Sequence, residues 1–215
     1  MLAGDQPDFY MTQASILLAL GMWEEVETTI AILGKAESLE SHCLFLSGSL
    51  SHRKGNSELA ERDLKRSIHL DGKYAPAYLE LAELYKSQNK HQHVLDTLNE
   101  LGTDKFTNEH YFVALGDAYF ELEKVDSARA VYEEALKVNA RNLAASIKLA
   151  RLDKASNQKD KALKRILQFF NYDLTDEIRI VVNRELGYLS EEPRINDDAF
   201  KYYRRSLILY REIAE

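Results

Sequence analysis

The chain of 215 residues has little of what several common classes of small domain require. Its one cysteine, Cys43, has no second cysteine to pair with, which excludes an internal disulfide framework. Three prolines and nine glycines are too few for a turn-rich all-β protein. Hydrophobic residues make up 45% of the chain and charged residues 29%, which is typical of a folded, water-soluble protein.

An excess of basic charge and long apolar runs are also missing. The formal net charge is -7, whereas nucleic-acid binding normally uses a basic stripe that neutralises phosphates, so we predict no nucleic-acid partner. The apolar run at residues 15–22 is too short to span a bilayer. The N-terminus carries acidic residues where a signal peptide has basic ones. The expectations are therefore no membrane span and, by default, a cytoplasmic location.

The residues that carry chemistry do not have the spacing of a catalytic or metal site. His91 and His93 lie two residues apart, so on a helix they point in different directions, and no third ligand follows at metal-binding spacing. Cys43 lies beside no evident base, and the carboxylates belong to no recognisable catalytic scaffold. The sequence predicts that the chain is not an enzyme and binds neither a metal nor a cofactor.

What the sequence does contain is an internal repeat of 34 residues. Residues 75–108 and 109–142 align without a gap. The same interval extends in both directions, and the sixth copy follows an insertion of three residues. We predict one array over residues 1–215, with repeats at 7–40, 41–74, 75–108, 109–142, 143–176 and 180–213.

One position of the repeat always holds a small residue, and another always holds a large one. Position 8 is always Ala or Gly: Ala14, Gly48, Ala82, Gly116, Ala150 and Gly187. Position 24 is always large: Ile30, Leu64, Leu98, Tyr132, Ile166 and Tyr203. Small residues let two helix backbones approach closely, while the large residue fills the space beside them. The pattern predicts a tightly packed pair of helices in each repeat.

Apolar residues recur at helical spacing within each repeat. Positions 4, 7, 8 and 11 share one face of a first helix, and positions 20, 24 and 27 share a face of a second. Position 15 is Gly21, Gly55, Asn89 and Asn157 in four repeats, and these residues tolerate the left-handed conformation that ends a helix. The prediction is an all-α fold of about twelve antiparallel helices.

The pattern resembles the tetratricopeptide repeat family, over roughly residues 7–213. The fourth repeat matches the family signature at seven positions: Phe112, Leu115, Gly116, Tyr119, Ala128, Tyr132 and Ala135. The usual proline at position 32 is absent from the array. The fifth and sixth repeats lack the aromatic residues at positions 4 and 11 and have instead Ser146, Asp153, Asn183 and Ser190.

The resemblance implies a right-handed superhelical solenoid whose first helices line a concave groove that binds another protein. In this family the groove is formed mainly by positions 2, 5, 9, 12 and 13. Position 5 is apolar in five repeats, which predicts a stripe for an extended or amphipathic ligand: Met11, Phe45, Leu79, Val113 and Ile147. The alternative is that these residues pack between neighbouring helices.

Polar candidates for the groove are His42, Arg53, Asp117, Arg151, Lys154 and Arg184. Residues 1–40 carry one base and seven acids, a balance of -6, and residues 143–176 carry seven bases and four acids, a balance of +3. A ligand with one basic and one acidic end would be oriented by this difference, unless the charges only solvate the array. The arrangement by which some family members grip chaperone C-termini is absent, so no selective binding to such tails is predicted.

Two other functions stay open. In the first alternative, the array is an architectural spacer that self-associates through its terminal repeats. An end repeat needs a polar cap, whereas residues 199–214 contain several large apolar side chains. Alternatively, the array is the targeting module of an enzyme whose catalytic domain lies outside this chain.

Overall fold

A computed structural model describes residues 7–102, 108–190, 201–202, 205 and 208. The described residues form eleven α-helices and two short 3-10 helices, with no strand among them. They divide into two compact units, Met1–Phe106 and Thr107–Glu215.

The first unit contains six α-helices that pack in sequence. Their bounds are α1 Pro7–Leu20, α2 Trp23–Leu33, α3 Glu40–Arg53, α4 Ser57–Leu70, α5 Ala75–Ser87 and α6 His91–Leu101. Each helix from α1 to α5 contacts the next one along the chain. The first helix α3 also contacts the first helices α1 and α5. The unit is therefore a stack of three helix pairs.

The described part of the second unit, as far as Ser190, contains five α-helices. Their bounds are α7 Glu109–Glu121, α8 Val125–Val138, α9 Leu143–Ala155, α10 Lys159–Leu167 and α11 Asp176–Ser190. Each helix from α7 to α10 packs on the next, and α9 also contacts α11. The second helix of the sixth predicted repeat, at residues 199–214, lies largely outside the described residues.

The turn inside each pair has the same backbone geometry in five repeats. Residues with positive φ stand at position 15 of each: Gly21, Gly55, Asn89, Glu123 and Asn157. In the third pair, for example, Asn89 N–H donates to Lys86 and Lys90 N–H donates to Tyr85, the two hydrogen bonds of a Schellman motif. The motif recurs at the ends of α1, α3, α7 and α9 and starts each second helix 34 residues after the previous one.

Glu123 is the one member of this set that the sequence did not predict, because glutamate has no preference for the left-handed region. Its φ is 58°. In this left-handed conformation Cβ lies close to the following carbonyl oxygen, which costs free energy that glycine, without a Cβ, avoids. The Glu123→Gly variant is expected to raise the free energy of unfolding by about 0.5–1 kcal/mol in urea titrations. Gly55→Ala, at φ 79° with open space around the new methyl, is the matched control and is expected to lower it by about 1 kcal/mol. If Glu123→Gly and wild type are equally stable, the backbone at Glu123 is not strained.

The helices of a pair touch at the small residues of position 8, as predicted. A Cβ built on Gly116 would lie 2.5 Å from Cε1 of Tyr132, and one on Gly48 would lie 2.7 Å from Cγ of Leu64. Both partners are the position-24 residues of the same repeats and are almost completely buried. The structure confirms that glycine at position 8 makes room for the large residue at position 24.

Asp153 explains why the fifth repeat departs from the aromatic residue of position 11. The side chain is fully buried and accepts hydrogen bonds from Arg129 Nη1 at 2.5 Å and from Arg165 Nε at 2.7 Å. Lys161 Nζ lies 3.3 Å away. Burial alone would raise the pKa of Asp153, but the hydrogen bonds from Arg165 and Arg129 outweigh it and lower the pKa. Ion pairs therefore join α8, α9 and α10 where a tyrosine packs in the third and fourth repeats.

Candidate functional site

The predicted apolar residues of the first unit are half-buried on successive first helices. Met11 lies on α1, Phe45 on α3 and Leu79 on α5. Met11 and Phe45 pack against a buried cluster that contains Ala14 and Leu46. These two side chains therefore contribute to the core as well as to the surface.

The second unit repeats this arrangement on α7 and α9. Val113 and Ile147 are both half-buried, and Ile147 packs against the buried cluster around Ala150 and Ile166. The five predicted residues thus keep part of their surface exposed, and Met11, Phe45 and Ile147 also support the core. A polar substitution at Met11, Phe45 or Ile147 would test folding together with binding.

The predicted polar residues of the first unit lie on α3. The ring of His42 lies 4.5 Å from the ring of Tyr74, between centroids. Arg53 Nη2 lies 4.0 Å from Oε2 of Glu80 on α5, whose Oε1 lies 2.8 Å from Nδ1 of His52. Glu80 therefore joins α3 to α5, and Arg53 lies at the edge of this contact.

Asp117 on α7 bridges three helices rather than standing alone on the surface. The Tyr132 hydroxyl on α8 donates to its Oδ1 at 2.7 Å, and Lys148 Nζ on α9 lies 2.9 Å from the same oxygen. Burial and the hydrogen bond to Asp117 raise the pKa of Tyr132 above its ordinary range, so the phenol stays protonated.

Arg151, Lys154 and Arg184 come together where α9 packs on α11. Arg151 donates from Nε and Nη2 to the Glu185 carboxylate at 3.0 and 2.7 Å, and hydrogen bonding to Glu185 raises the pKa of Arg151. Lys154 Nζ donates to the backbone carbonyl of Tyr188. Arg184 is exposed, with Nε 3.9 Å from Glu185.

Glu80 and Glu185 were not predicted from the sequence, and both stand at position 6 of their repeats. Each accepts from a basic residue at position 12 or 9 of the preceding repeat, and Glu185 is almost fully buried. A glutamate at position 6 one repeat after a basic residue at position 9 or 12 is the signal that would have found them.

Within the described ranges, no group of three or more His, Cys, Asp or Glu side chains is arranged to hold a metal ion. His93, one of the two histidines with close spacing, packs its ring 5.1 Å from that of Tyr85. None of the described helices has the length and apolar character needed to cross a membrane.

Comparison with known proteins agrees with the helix-pair architecture. The tetratricopeptide repeat family matches residues 109–142, the same residues as the fourth predicted repeat. No curated protein matches the chain by sequence.

Three solved structures show the extent of the fold similarity. PilF of Pseudomonas aeruginosa superposes with a TM-score of 0.77 at 15% identity, over 95% of this chain and 91% of that one. MamA of Desulfovibrio magneticus RS-1 gives 0.61 at 14% identity, over 78% and 95%. Cut9 from the APC/C hetero-tetramer Cut9–Hcn1 gives 0.75 at 13% identity, over 96% of this chain and 40% of that one.

The predicted all-α helical-repeat fold is confirmed by these similarities and by the described helices. Proteins of this fold are generally scaffolds for protein–protein interaction. Residues 109–142 therefore match the tetratricopeptide repeat family, and the described helices have the fold of the helical-repeat structures to which the chain is similar.

Proposed function

We propose that this chain is a non-catalytic scaffold that binds a peptide or helix of another protein on the surface of its first helices. The observation that supports the proposal is the contrast between positions 5 and 8. The small residues of position 8 are buried, whereas the apolar residues of position 5 keep part of their surface exposed in five successive repeats. An apolar residue at one position in successive repeats suits an extended or helical ligand.

The repeat division is part of this proposal. We propose that the chain is divided into repeats 7–40, 41–74, 75–108, 109–142, 143–176 and 180–213, each with a first helix that takes part in binding. Cut9, a protein of similar fold, is found in a hetero-tetramer. Its identity to this chain is too low to transfer a partner, but it is consistent with a role in protein assembly.

Site-specific photo-crosslinking tests the proposed surface at two half-buried positions. A benzoylphenylalanine placed at Leu79 or Val113 would report on the first helices of each unit. Lys65 on α4 and Lys137 on α8, whose side chains are 58% and 70% exposed, supply matched positions on second helices. We expect one protein from a lysate of the source cells to cross-link at Leu79 and at Val113, and not at Lys65 or Lys137.

The architectural alternative has one observation in its favour. Phe9, Ile16 and Leu20 are exposed on one face of α1, with side chains spaced seven and four residues apart. A chain-to-chain cross-link in the same experiment, in place of a partner protein, would favour self-association over the scaffold proposal.

A further inference from the structure

Three large apolar side chains are exposed in one line along α1. Phe9, Ile16 and Leu20 are 56%, 55% and 67% exposed, and their spacings of seven and four residues place them on one face of the helix. We define these three residues as the α1 face. Phe9 and Ile16 stand at positions 3 and 10 of the first predicted repeat.

Positions 3 and 10 have a different environment in later repeats. In the third repeat they are Ala77 and Leu84, and in the sixth repeat they are Val182 and Leu189, all with 0% exposure. Cys43, at position 3 of the second repeat, is half-buried. The α1 face is therefore the exposed equivalent of a surface that is largely buried elsewhere in the chain.

The element that covers positions 3 and 10 is the second helix of the preceding repeat. On α11, Val182 and Leu189 belong to a buried cluster. The same cluster contains three residues that lie on α10 or just after it: Ala162, Ile166 and Phe169. In the same order along the chain, α4 packs on α5 and α8 packs on α9. A second helix is thus the kind of element that fits the α1 face.

The charge of the first helix pair indicates which kind of helix fits best. Residues 7–33, which include α1 and α2, contain four acidic residues and no Lys or Arg. Glu27 pairs with Lys54 on α3 at 2.6 Å, whereas Glu24 and Glu25 are exposed at the start of α2. A helix with basic residues would be attracted to this pair, but a second copy of the pair would bring four more acidic residues. The charges therefore favour a basic helix over a second copy of the same surface.

We propose that the α1 face binds an amphipathic helix of a partner protein, with an apolar stripe against Phe9, Ile16 and Leu20 and basic residues beside that stripe. The partner helix takes the place on α1 that a second helix takes on the next first helix. Apolar anchors at helical spacing are a recurrent mode of peptide recognition.

This surface is separate from the position-5 surface of the proposed function. At about 100° per residue, position 5 lies about 150° around the helix from positions 3 and 10. Cross-linking from Leu79 and Val113 therefore tests the proposed function without involving the α1 face, and either proposal can fail alone.

The chain itself supplies a probe of the required chemistry. Residues 158–171 include α10 and carry four bases and one acid, a balance of +3. Their buried residues Ala162, Ile166 and Phe169 share a cluster with positions 3 and 10 of α11. A labelled, end-capped peptide of this sequence is titrated with the full chain and followed by fluorescence anisotropy. The comparison peptide has glutamates in place of the four bases and keeps the same apolar residues.

Two double variants locate the binding. The α1 variant, Ile16→Gln with Leu20→Gln, removes two exposed apolar side chains without a change of charge. Leu70→Gln with Val138→Gln is the matched control, because Leu70 and Val138 are 51% and 41% exposed on α4 and α8. Circular dichroism melts establish that both variants fold. Sedimentation velocity without peptide measures the self-association of each protein.

We expect the basic peptide to bind wild type and the control variant within about twofold of each other, and the α1 variant at least about tenfold more weakly. The glutamate peptide should bind wild type at least about tenfold more weakly than the basic peptide does. Wild type and the α1 variant should sediment alike.

Four results would overturn the inference. One is no saturable binding of the basic peptide at protein concentrations up to about 1 mM. Another is equal binding to the α1 variant, which would place the peptide elsewhere, for example on α11 in exchange for α10. Equal binding of the two peptides would remove the basic partner. Self-association of wild type that the α1 variant loses would assign the α1 face to a second copy of the chain.

Discussion

Replacement of Asp153 by alanine is expected to lower the free energy of unfolding by about 3 kcal/mol, the largest effect of a single change considered for this protein. The fully buried carboxylate accepts from Arg129 and Arg165, and Lys161 lies 3.3 Å from it. Its removal leaves three cations of α8 and α10 close together without the buried carboxylate that joins them, while Arg165 keeps Glu133, whose Oε1 lies 3.9 Å from its Nη2. Urea denaturation followed by circular dichroism measures the change.

An exposed ion pair supplies the control for this prediction. Glu134 lies 2.6 Å from Lys137 on the surface of α8, with side chains that are largely solvated. Glu134→Ala also removes one carboxylate, but is expected to change stability by less than about 0.5 kcal/mol. Equal effects of the two substitutions would show that Asp153 is no more important than a surface charge.

The effect of Asp153 also has a predicted pH dependence. Its pKa in the folded chain is lowered below that of an unfolded aspartate, about 3.9. Its stabilising contribution is therefore complete above that value and is lost as the pH falls through the lowered folded-state pKa. The stability difference between wild type and Asp153→Asn should be constant between about pH 7 and pH 5 and should shrink in more acidic solution. A difference that grows in acid would contradict this assignment.

The second large effect is expected for Gly116→Ala, which should lower the free energy of unfolding by about 2 kcal/mol. Alanine normally stabilises a helix relative to glycine by about 0.5–1 kcal/mol, so the expected change has the opposite sign to helix propensity. The reason is the added Cβ, which would lie 2.5 Å from a Tyr132 ring that is buried and anchored on Asp117. Thermal or urea unfolding measures the change.

A compensating variant separates this clash from other causes. The third repeat has Ala82 and Leu98 at positions 8 and 24, so Gly116→Ala with Tyr132→Leu reproduces a pair that the chain already contains. The double variant should be more stable than the sum of the two single changes predicts, by about 1 kcal/mol. Gly72→Ala, where the new methyl meets only one atom at 3.9 Å, is the control and should be nearly neutral. If the effects of Gly116→Ala and Tyr132→Leu on the free energy of unfolding are additive, the clash with the Tyr132 ring is not the cause of the destabilisation.

The sequence predicted those features of the fold for which a residue type has a single structural explanation at its position. Glycine at position 8 indicates a close approach, and Gly or Asn at position 15 indicates a left-handed turn, so Gly116 and Asn89 were sufficient to predict both features. Glu123 adopts the same turn, which is closed by hydrogen bonds from Glu123 N–H to Phe120 and from Lys124 N–H to Tyr119, and its residue type alone does not reveal this.

The candidate site was harder to predict, because its features depend on pairs of residues far apart in the chain. Asp153 was visible as a departure from the family pattern, but its partners lie 24 and 12 residues away on other helices. Glu185 was missed because a buried carboxylate is stable only with Arg151, one repeat earlier. The apolar residues at position 5 were located, but their partial burial depends on neighbouring helices and is not encoded in the period.

The central claim is that the first helices bind a partner protein, and cross-linking from Leu79 and Val113 tests it most directly. We expect mass spectrometry to identify one and the same partner at both positions, with no product from Lys65 or Lys137. A partner that cross-links from Lys65 or Lys137 and from neither first-helix position would contradict the account and assign binding to the second helices.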